Sequence, residues 1–250
     1  MIFGPWKSKA PVATREPSIP ADLRLYVVGD VHGRADLLER LAGKIGRELA
    51  DAPERVLTIF LGDYIDRGMR SSDVVARLSA RDFPTEIETL RGNHEQTMLD
   101  AFEDERVFGF WRKIGGMETL VSYKIDVSRV NRGQDYAGAR ADLHERIPSK
   151  HRDFLNTLPL TRQIGAYFFC HAGVRPRVPL DRQDGTDLIS IRDEFLKSRV
   201  DHGKIIVHGH TPVDEPEFRP NRVNIDTGAY LTNRLTCLVL QGATRRILEA

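Results

Sequence analysis

Leu23-Arg24-Leu25-Tyr26-Val27-Val28-Gly29-Asp30-Val31-His32-Gly33 decides the fold. Its first six residues read as a buried strand. The strand breaks at Gly29, and a carboxylate and an imidazole follow at once. Arg34 through Leu49 then places Leu37, Leu38, Leu41 and Ile45 at helical spacing. The same phrase recurs twice. Arg55 through Leu61 is a second strand, ending at Gly62-Asp63, and Ser71 through Leu78 a second helix, with Ser71 or Ser72 as candidate cap. Thr85 to Leu90 is a third strand, ending at Arg91-Gly92-Asn93. Strand–helix–strand–helix–strand predicts parallel strands with right-handed crossovers.

Beyond this the pattern changes. Glu95 to Pro159 is mostly helical. The second half is β-rich: Thr161–Ile164, Tyr167–Cys170, Lys204–Val207, Arg222–Ile225, Leu235–Leu240 and Arg245–Leu248, punctuated by Pro and Gly. The expected α/β architecture is two stacked mixed β-sheets flanked by helices, the second sheet the more antiparallel. No linker divides the chain, so residues 21–250 are expected to be one domain. Met1 to about Pro20, rich in Pro, Ser and charge, reads as a mobile tail. It lacks the apolar run of about 7–15 residues found in a secretory signal. No stretch approaches the roughly 20 apolar residues of a membrane helix.

The chemistry-bearing residues sit where strands end, the place where open α/β sheets bind ligands. The stretches are Gly29-Asp30-Val31-His32-Gly33, Gly62-Asp63-Tyr64-Ile65-Asp66-Arg67-Gly68, Arg91-Gly92-Asn93-His94-Glu95, His171-Ala172-Gly173 and Val207-His208-Gly209-His210-Thr211-Pro212. In extended backbone Asp30 and His32 point to one side, a fitting half-site for a divalent transition metal. Glycines beside them permit tight turns and close approach. A lone Asp-x-His says little; five such stretches in this order, each at a strand end, say much more.

Bulk properties narrow the partners. The chain has 250 residues, 40% hydrophobic and 29% charged, with a formal net charge of +1. That balance gives no general pull toward nucleic acid or an anionic membrane. Cys170 and Cys237 lie in apolar runs and read as buried hydrophobes. Two cysteines and eight histidines suit a reducing cytoplasm. Phe102, Phe108, Phe110 and Trp111 are expected to form a core for the helical insert, and Glu103 to Arg106 a solvated helix start. Oligomeric state is not readable.

With the five motifs in place, the chain resembles the metallophosphoesterase superfamily, whose fold is the calcineurin-like sandwich. Within it the chain looks like the phosphoprotein phosphatases, in their small bacterial and bacteriophage branch. The resemblance implies that Asp30 and His32 hold one metal, Asp63 bridges two, and Asn93, His171 and His210 hold the second. Pro212 stands where relatives outside the protein phosphatases carry a histidine. His208 is then expected near the site without being a ligand. The two divalent ions are expected to be Mn²⁺, although mixed O and N donors also admit Fe, Zn or Ni.

In such a centre two ions about 3.5–4 Å apart activate a water for in-line attack on phosphorus. His94 is expected to protonate the leaving oxygen, with Asp66 fixing its other nitrogen. Arg67 and Arg192 are expected to clamp the phosphate with their planar forks. Arg192 is the looser assignment, because Ser190 stands where relatives often have Trp. Arg91 is expected to pair with a carboxylate below the site, and Asp226 to support it.

The leading expectation is a phosphatase acting on phosphoserine or phosphothreonine in proteins. Its rival is a dinucleoside tetraphosphate hydrolase, whose familiar signature lacks the Asp66-Arg67 element. A small-molecule or lipid-linked phosphatase stays open. A metal-binding regulator without catalysis is disfavoured, because ligands and acid are all present.

Overall fold

The computed structural model describes residues 16–250. Most of the expected tail, residues 1–15, lies outside the described residues. Its last part is docked: Ile19 is buried, and its N–H donates to the Gly242 carbonyl at 3.0 Å.

The first half follows the predicted alternation. β1 (Leu23–Val28), α1 (Ala35–Glu48), β2 (Arg55–Phe60), α2 (Ser71–Ser79) and β3 (Glu86–Thr89) come in order, with β1, β2 and β3 parallel. Next is the helical insert: α3 (Asn93–Glu103), α4 (Glu105–Trp111), α5 (Gly116–Ser122), α6 (Ser128–Asn131), α7 (Tyr136–Arg146) and α8 (Ser149–Asn156). The remainder runs β4 (Thr161–Ile164), β5 (Tyr167–Cys170), α9 (Gly185–Ser190), α10 (Asp193–Leu196), β6 (Ile205–His208), β7 (Glu217–Phe218), β8 (Arg222–Asn224), α11 (Ala229–Thr232), β9 (Thr236–Gln241) and β10 (Thr244–Glu249).

Two five-stranded mixed sheets result, ordered β10-β9-β1-β2-β3 and β4-β5-β6-β8-β7. The expected division differs in one respect. β9 and β10 leave the second sheet and join the first, antiparallel to β1 and to each other. The second sheet is parallel at its centre, β5-β6-β8, with antiparallel edges. Local sequence sets that Thr236–Gln241 is a strand; its partner, more than two hundred residues earlier, is set by which apolar face it has to cover.

Alternation along the strands builds three packed layers. Leu25 and Val27 of β1, with Leu57 and Ile59 of β2, face Tyr167, Phe169, Val207 and Val223 of the other sheet. Tyr26, Val28 and Phe60 face outward under Leu37, Leu38 and Leu41 of α1 and Val74 and Val75 of α2. Phe168, Cys170 and Ile206 face the opposite way, under Leu188, Ile191 and Phe195. The central strands β1, β2, β5 and β6 are therefore buried on both faces along most of their length, as central strands of covered sheets are. Both cysteines are buried and unpaired.

Candidate active site

The carboxyl ends of β1, β2, β3, β5, β6 and β8 open toward one region, and the loops leaving them carry Asp30, His32, Asp63, Asn93, His171, His210 and Asp226. These loops bend sharply. His32, Asp63, Asp66, Arg67 and His210 all have positive φ, between 43° and 72°. Such a conformation costs a non-glycine residue roughly 1–3 kcal/mol and persists only where neighbours hold it. Here they do. Val31 and His32 N–H both donate to the Asp63 carbonyl, at 3.0 and 2.8 Å. The buried Glu95 carboxylate accepts from Asp63, Tyr64 and Gly92 N–H at 2.8, 2.7 and 2.9 Å. Two glycines make room: a Cβ on Gly92 would lie 2.1 Å from Asp63 Oδ1, and one on Gly209 2.1 Å from Asp30 Oδ1.

Asp63 stands between two sets of donors. Its Oδ2 is 3.4 Å from His32 Nε2, and its Oδ1 is 3.4 Å from His171 Nε2. His171 Nε2 is also 3.0 Å from Asn93 Oδ1, which lies 2.7 Å from His210 Nδ1. Asp30 accepts from the His210 N–H. His32 Nδ1 donates to Ile65 O at 2.8 Å, and His171 Nδ1 to Leu61 O at 3.2 Å. Both rings thereby turn an Nε2 lone pair toward Asp63, the orientation that backbone carbonyls impose on metal-ligating histidines.

Charge points the same way. Burial, then the Asp226 and Asp63 carboxylates, push the Asp30 carboxyl well above its usual range. Burial drives His32 and His210 down to about 3, which keeps their rings neutral. Burial opposes ionisation of Asp63 too, yet the neighbouring His171 and His94 hold it well below the usual carboxylate range. Crowded carboxylates among neutral imidazoles form a donor set that divalent cations satisfy. His32, Asp63 and His94 on one side, and Asp63, His171 and His210 on the other, bring their donor atoms within 4.8 Å of one another, two clusters dense enough to hold an ion.

Within the first cluster His94 turns its other nitrogen away from Asp63: His94 Nδ1 donates to Asp66 Oδ2 at 2.6 Å. Asp66 is fully buried and heavily tied down. Trp111 Nε1 donates to Oδ2 at 2.8 Å and Thr119 Oγ1 to Oδ1 at 2.7 Å. Its own N–H donates to Thr119 Oγ1 and Ser71 Oγ. Burial disfavours a charged His94, but Asp63 and Asp66 outweigh it and raise the ring to about 9. The Asp63 share of that rise shrinks wherever cations neutralise Asp63. Arg67 Nη2 is 3.2 Å from His94 Nε2, so the guanidinium and the imidazole converge on one point.

Several expectations need correction. Asn93 and His94 lie past the third strand and open α3, where successive side chains diverge because of the helical turn. Ser71 is no cap: it is the first residue of α2, and its hydroxyl serves Asp66. Trp111 is core, as expected, but it also reaches the site, whereas Phe110 is 56% exposed. Arg91 donates to Gln96 Oε1 and to the Leu155 and Asn156 carbonyls, not to a carboxylate. His208 turns away from the site, its ring 5.0 Å from that of Phe195. Asp226 accepts from the Gly228 N–H at 2.9 Å and lies close enough to Asp30 to raise it. Arg192 is exposed at the start of α10, and its charge acts on His210. Sequence reading assigned no role to Glu95 or Tyr230. The Arg-Gly-Asn-His-Glu stretch contained the signal for Glu95; Tyr230 had none.

Residues 23–237 match the calcineurin-like phosphoesterases. The chain belongs to that family. It is a metal-dependent phosphoesterase in a fold of two mixed sheets flanked by helices, with candidate ligands for two ions gathered around Asp63. A bis(5'-nucleosyl)-tetraphosphatase (asymmetrical) of Halalkalibacterium halodurans is 29% identical over 232 residues, covering 86% of this chain and 89% of the relative. One of Bacillus thuringiensis with the same name is 26% identical over 249 residues, with 86% and 90% covered. Among solved structures, one described as a candidate diadenosine tetraphosphatase has a TM-score of 0.63 at 19% identity, covering 92% of this chain and 99% of its own. A serine/threonine phosphatase of Saccharomyces cerevisiae has a TM-score of 0.54 at 15% identity, covering 94% and 84%. These structural likenesses concern the fold. Among the described residues no helix is long and apolar enough to cross a membrane.

The named relatives overturn the expectation of a protein serine/threonine phosphatase. That expectation rested on Asp66-Arg67 and on Pro212. In the roles expected of them, Asp66 and Arg67 act around the phosphoryl group and the oxygen leaving it, which an ester and an anhydride share. They do not read what lies beyond that oxygen, so they never distinguished the two substrates.

Proposed function

We propose that this chain is an asymmetrical dinucleoside tetraphosphatase. It adds water across one phosphoanhydride of a bis(5'-nucleosyl) tetraphosphate and releases one nucleoside triphosphate and one nucleoside monophosphate. The observation that carries this reading is the likeness to the named tetraphosphatases along 86% of the chain. The twin donor clusters around Asp63 supply its chemical plausibility.

In this reading Asp30, His32 and Asp63 hold one divalent cation, and Asp63, Asn93, His171 and His210 the other. Mn²⁺ is our choice among the ions such donors take. When bound, the pair supplies Lewis acidity toward water and the phosphoryl oxygens. The protein does the rest. Arg67, with Arg192 from across the site, presents N–H forks to the remaining phosphoryl oxygens. His94 Nε2 delivers a proton to the departing phosphate oxygen while Asp66 accepts from Nδ1 and fixes the ring. Trp111 and Thr119 keep Asp66 in place. A departing nucleotide phosphate is a far better leaving group than an alkoxide, so its cleavage asks less of His94 than ester hydrolysis would.

The test compares kcat/KM of the Mn²⁺-loaded protein on diadenosine tetraphosphate and on a phosphoserine peptide, with products separated by ion-exchange chromatography. ATP and AMP in equal amounts, formed much faster than phosphate from the peptide, are expected. Two ADP, or faster peptide dephosphorylation, would overturn the proposal.

A further inference from the structure

Arg67 poses a problem of positioning. Its main chain is fixed, since its N–H donates to the Gly115 carbonyl at 3.0 Å. Its side chain is long, and among the described residues no carboxylate lies within ion-pairing distance of it. A carboxylate would hold the guanidinium but occupy the N–H groups a phosphate needs. The structure uses a ring instead. The guanidinium carbon lies 4.6 Å from the centroid of the Tyr230 ring. A π face attracts the cation through its plane and leaves the edge N–H groups clear of any carboxylate; one of them, Nη2, lies 3.2 Å from His94 Nε2.

Tyr230 is itself held from two sides. It sits on α11, a four-residue helix entered and left through left-handed residues, Gly228 and Asn233. Arg34 Nη1 donates to the Ala229 carbonyl at 2.8 Å, and Arg34 Nη2 donates to the Asn233 side chain. Arg34 follows directly on the loop that carries His32. The His32 and Tyr230 rings meet edge to face, with centroids 5.3 Å apart. The proposed ligand His32 and the proposed fork Arg67 therefore touch the same ring.

We infer that Tyr230 is a positioning residue that aims the Arg67 fork at the substrate phosphoryl group by stacking on its guanidinium. This rests on Arg67 being a phosphate fork, as proposed above. It assigns the work to the aromatic face; no hydrogen bond of the Tyr230 hydroxyl enters.

The experiment is a double-mutant cycle on the full-length Mn²⁺-loaded protein. Diadenosine tetraphosphate and p-nitrophenyl phosphate are the substrates, and the inhibition constant of inorganic phosphate is a second readout. Tyr230→Leu keeps apolar bulk and loses the π face. It is expected to lower kcat/KM about tenfold, mostly through KM, and to weaken phosphate inhibition in parallel. Tyr230→Phe is expected to stay within about twofold of the parent. In an Arg67→Ala background, Tyr230→Leu is expected to add nothing, because its partner is gone. Thermal unfolding and bound Mn²⁺ of each variant separate a folding defect from a positioning one. Additive losses in the double variant, or a Phe variant as poor as the Leu variant, overturn the inference while leaving the phosphate fork standing. If Arg67→Ala alone changes nothing, the fork assignment fails, and the inference fails with it.

Discussion

His94 Nδ1 and Asp66 Oδ2 are 2.6 Å apart, and both side chains are buried. A carboxylate this close fixes one nitrogen as the proton-bearing one and leaves Nε2 aimed at the space above Asp63. In the proposed mechanism the pair moves a proton at a single place. His94→Asn removes that proton. A general acid in this position contributes roughly 10²–10⁴-fold when the leaving group is a poor one. The expected loss is at least about a hundredfold on an alkyl phosphate and under about tenfold on p-nitrophenyl phosphate. Diadenosine tetraphosphate should fall near the latter. Steady-state kinetics on the three substrates check this, and equal losses on all of them would remove His94 from acid duty.

Trp111 reaches Asp66 from 45 residues away, donating through Nε1 at 2.8 Å. Trp111→Phe keeps most of the buried ring and deletes that donor. A buried hydrogen bond to a charged group is worth roughly 1.5–3 kcal/mol. Asp66 keeps Thr119 and His94, so the loss should show as a looser dyad. A fall in kcat of about tenfold is expected, steeper on alkyl than on aryl phosphates, with little change in KM. A variant that loses thermal stability but keeps kcat would make Trp111 a packing residue only.

How much of this was legible beforehand depends on distance along the chain. The first three strands and two helices were readable because each is local: apolar spacing gives the element, and glycine and a polar residue mark its end. The convergence of Asp30, Asp63 and Asn93 followed, since parallel neighbouring strands end on one side. Asp30 and His32 were expected in extended backbone, yet β1 stops at Val28 and His32 has a φ of 43°. What stayed hidden was tertiary. Nothing near Thr236–Gln241 says that it pairs with β1, and nothing in Ala229–Thr232 says that its tyrosine meets Arg67. Trp111 shows the same limit: its burial was readable from its apolar neighbours, but its bond to Asp66 was not. The substrate was illegible for another reason, because the motifs describe the phosphoryl group and not what it is attached to.

Asp63 faces both donor clusters, one with each carboxylate oxygen. Asp63→Asn keeps the shape and removes the charge. The expected result is loss of at least one of the two ions per chain and a drop in turnover of at least about a thousandfold, since two-metal chemistry needs both. Metal content by elemental analysis and p-nitrophenyl phosphate turnover measure the two effects together. Full metal content with near-normal activity would refute the bridging role. On the parent protein, exhaustive chelation should abolish turnover and Mn²⁺ should restore it.

The close approach of Gly92 to Asp63 gives the last prediction. A Cβ on Gly92 would stand 2.1 Å from Asp63 Oδ1, 2.5 Å from Asp63 N and 2.8 Å from Glu95 Oε2. Two of these atoms belong to Asp63 and the third to Glu95 of α3, the buried carboxylate that holds the N–H groups of the Asp63 loop. Gly92→Ala therefore has to push Asp63 or Glu95 aside, without altering any charge. Turnover and metal content are expected to fall together, with a destabilisation of about 1–3 kcal/mol from overpacking. Gly43→Ala is the matched control. Its Cβ would meet only Arg47 Nη1, at 3.7 Å, and in the middle of α1 alanine should stabilise the helix by about 1 kcal/mol. Thermal unfolding and metal content of the two variants, measured side by side, separate the site from the scaffold. If Gly92→Ala binds two ions as tightly as Gly43→Ala does, the loop does not hold Asp63 in the way described.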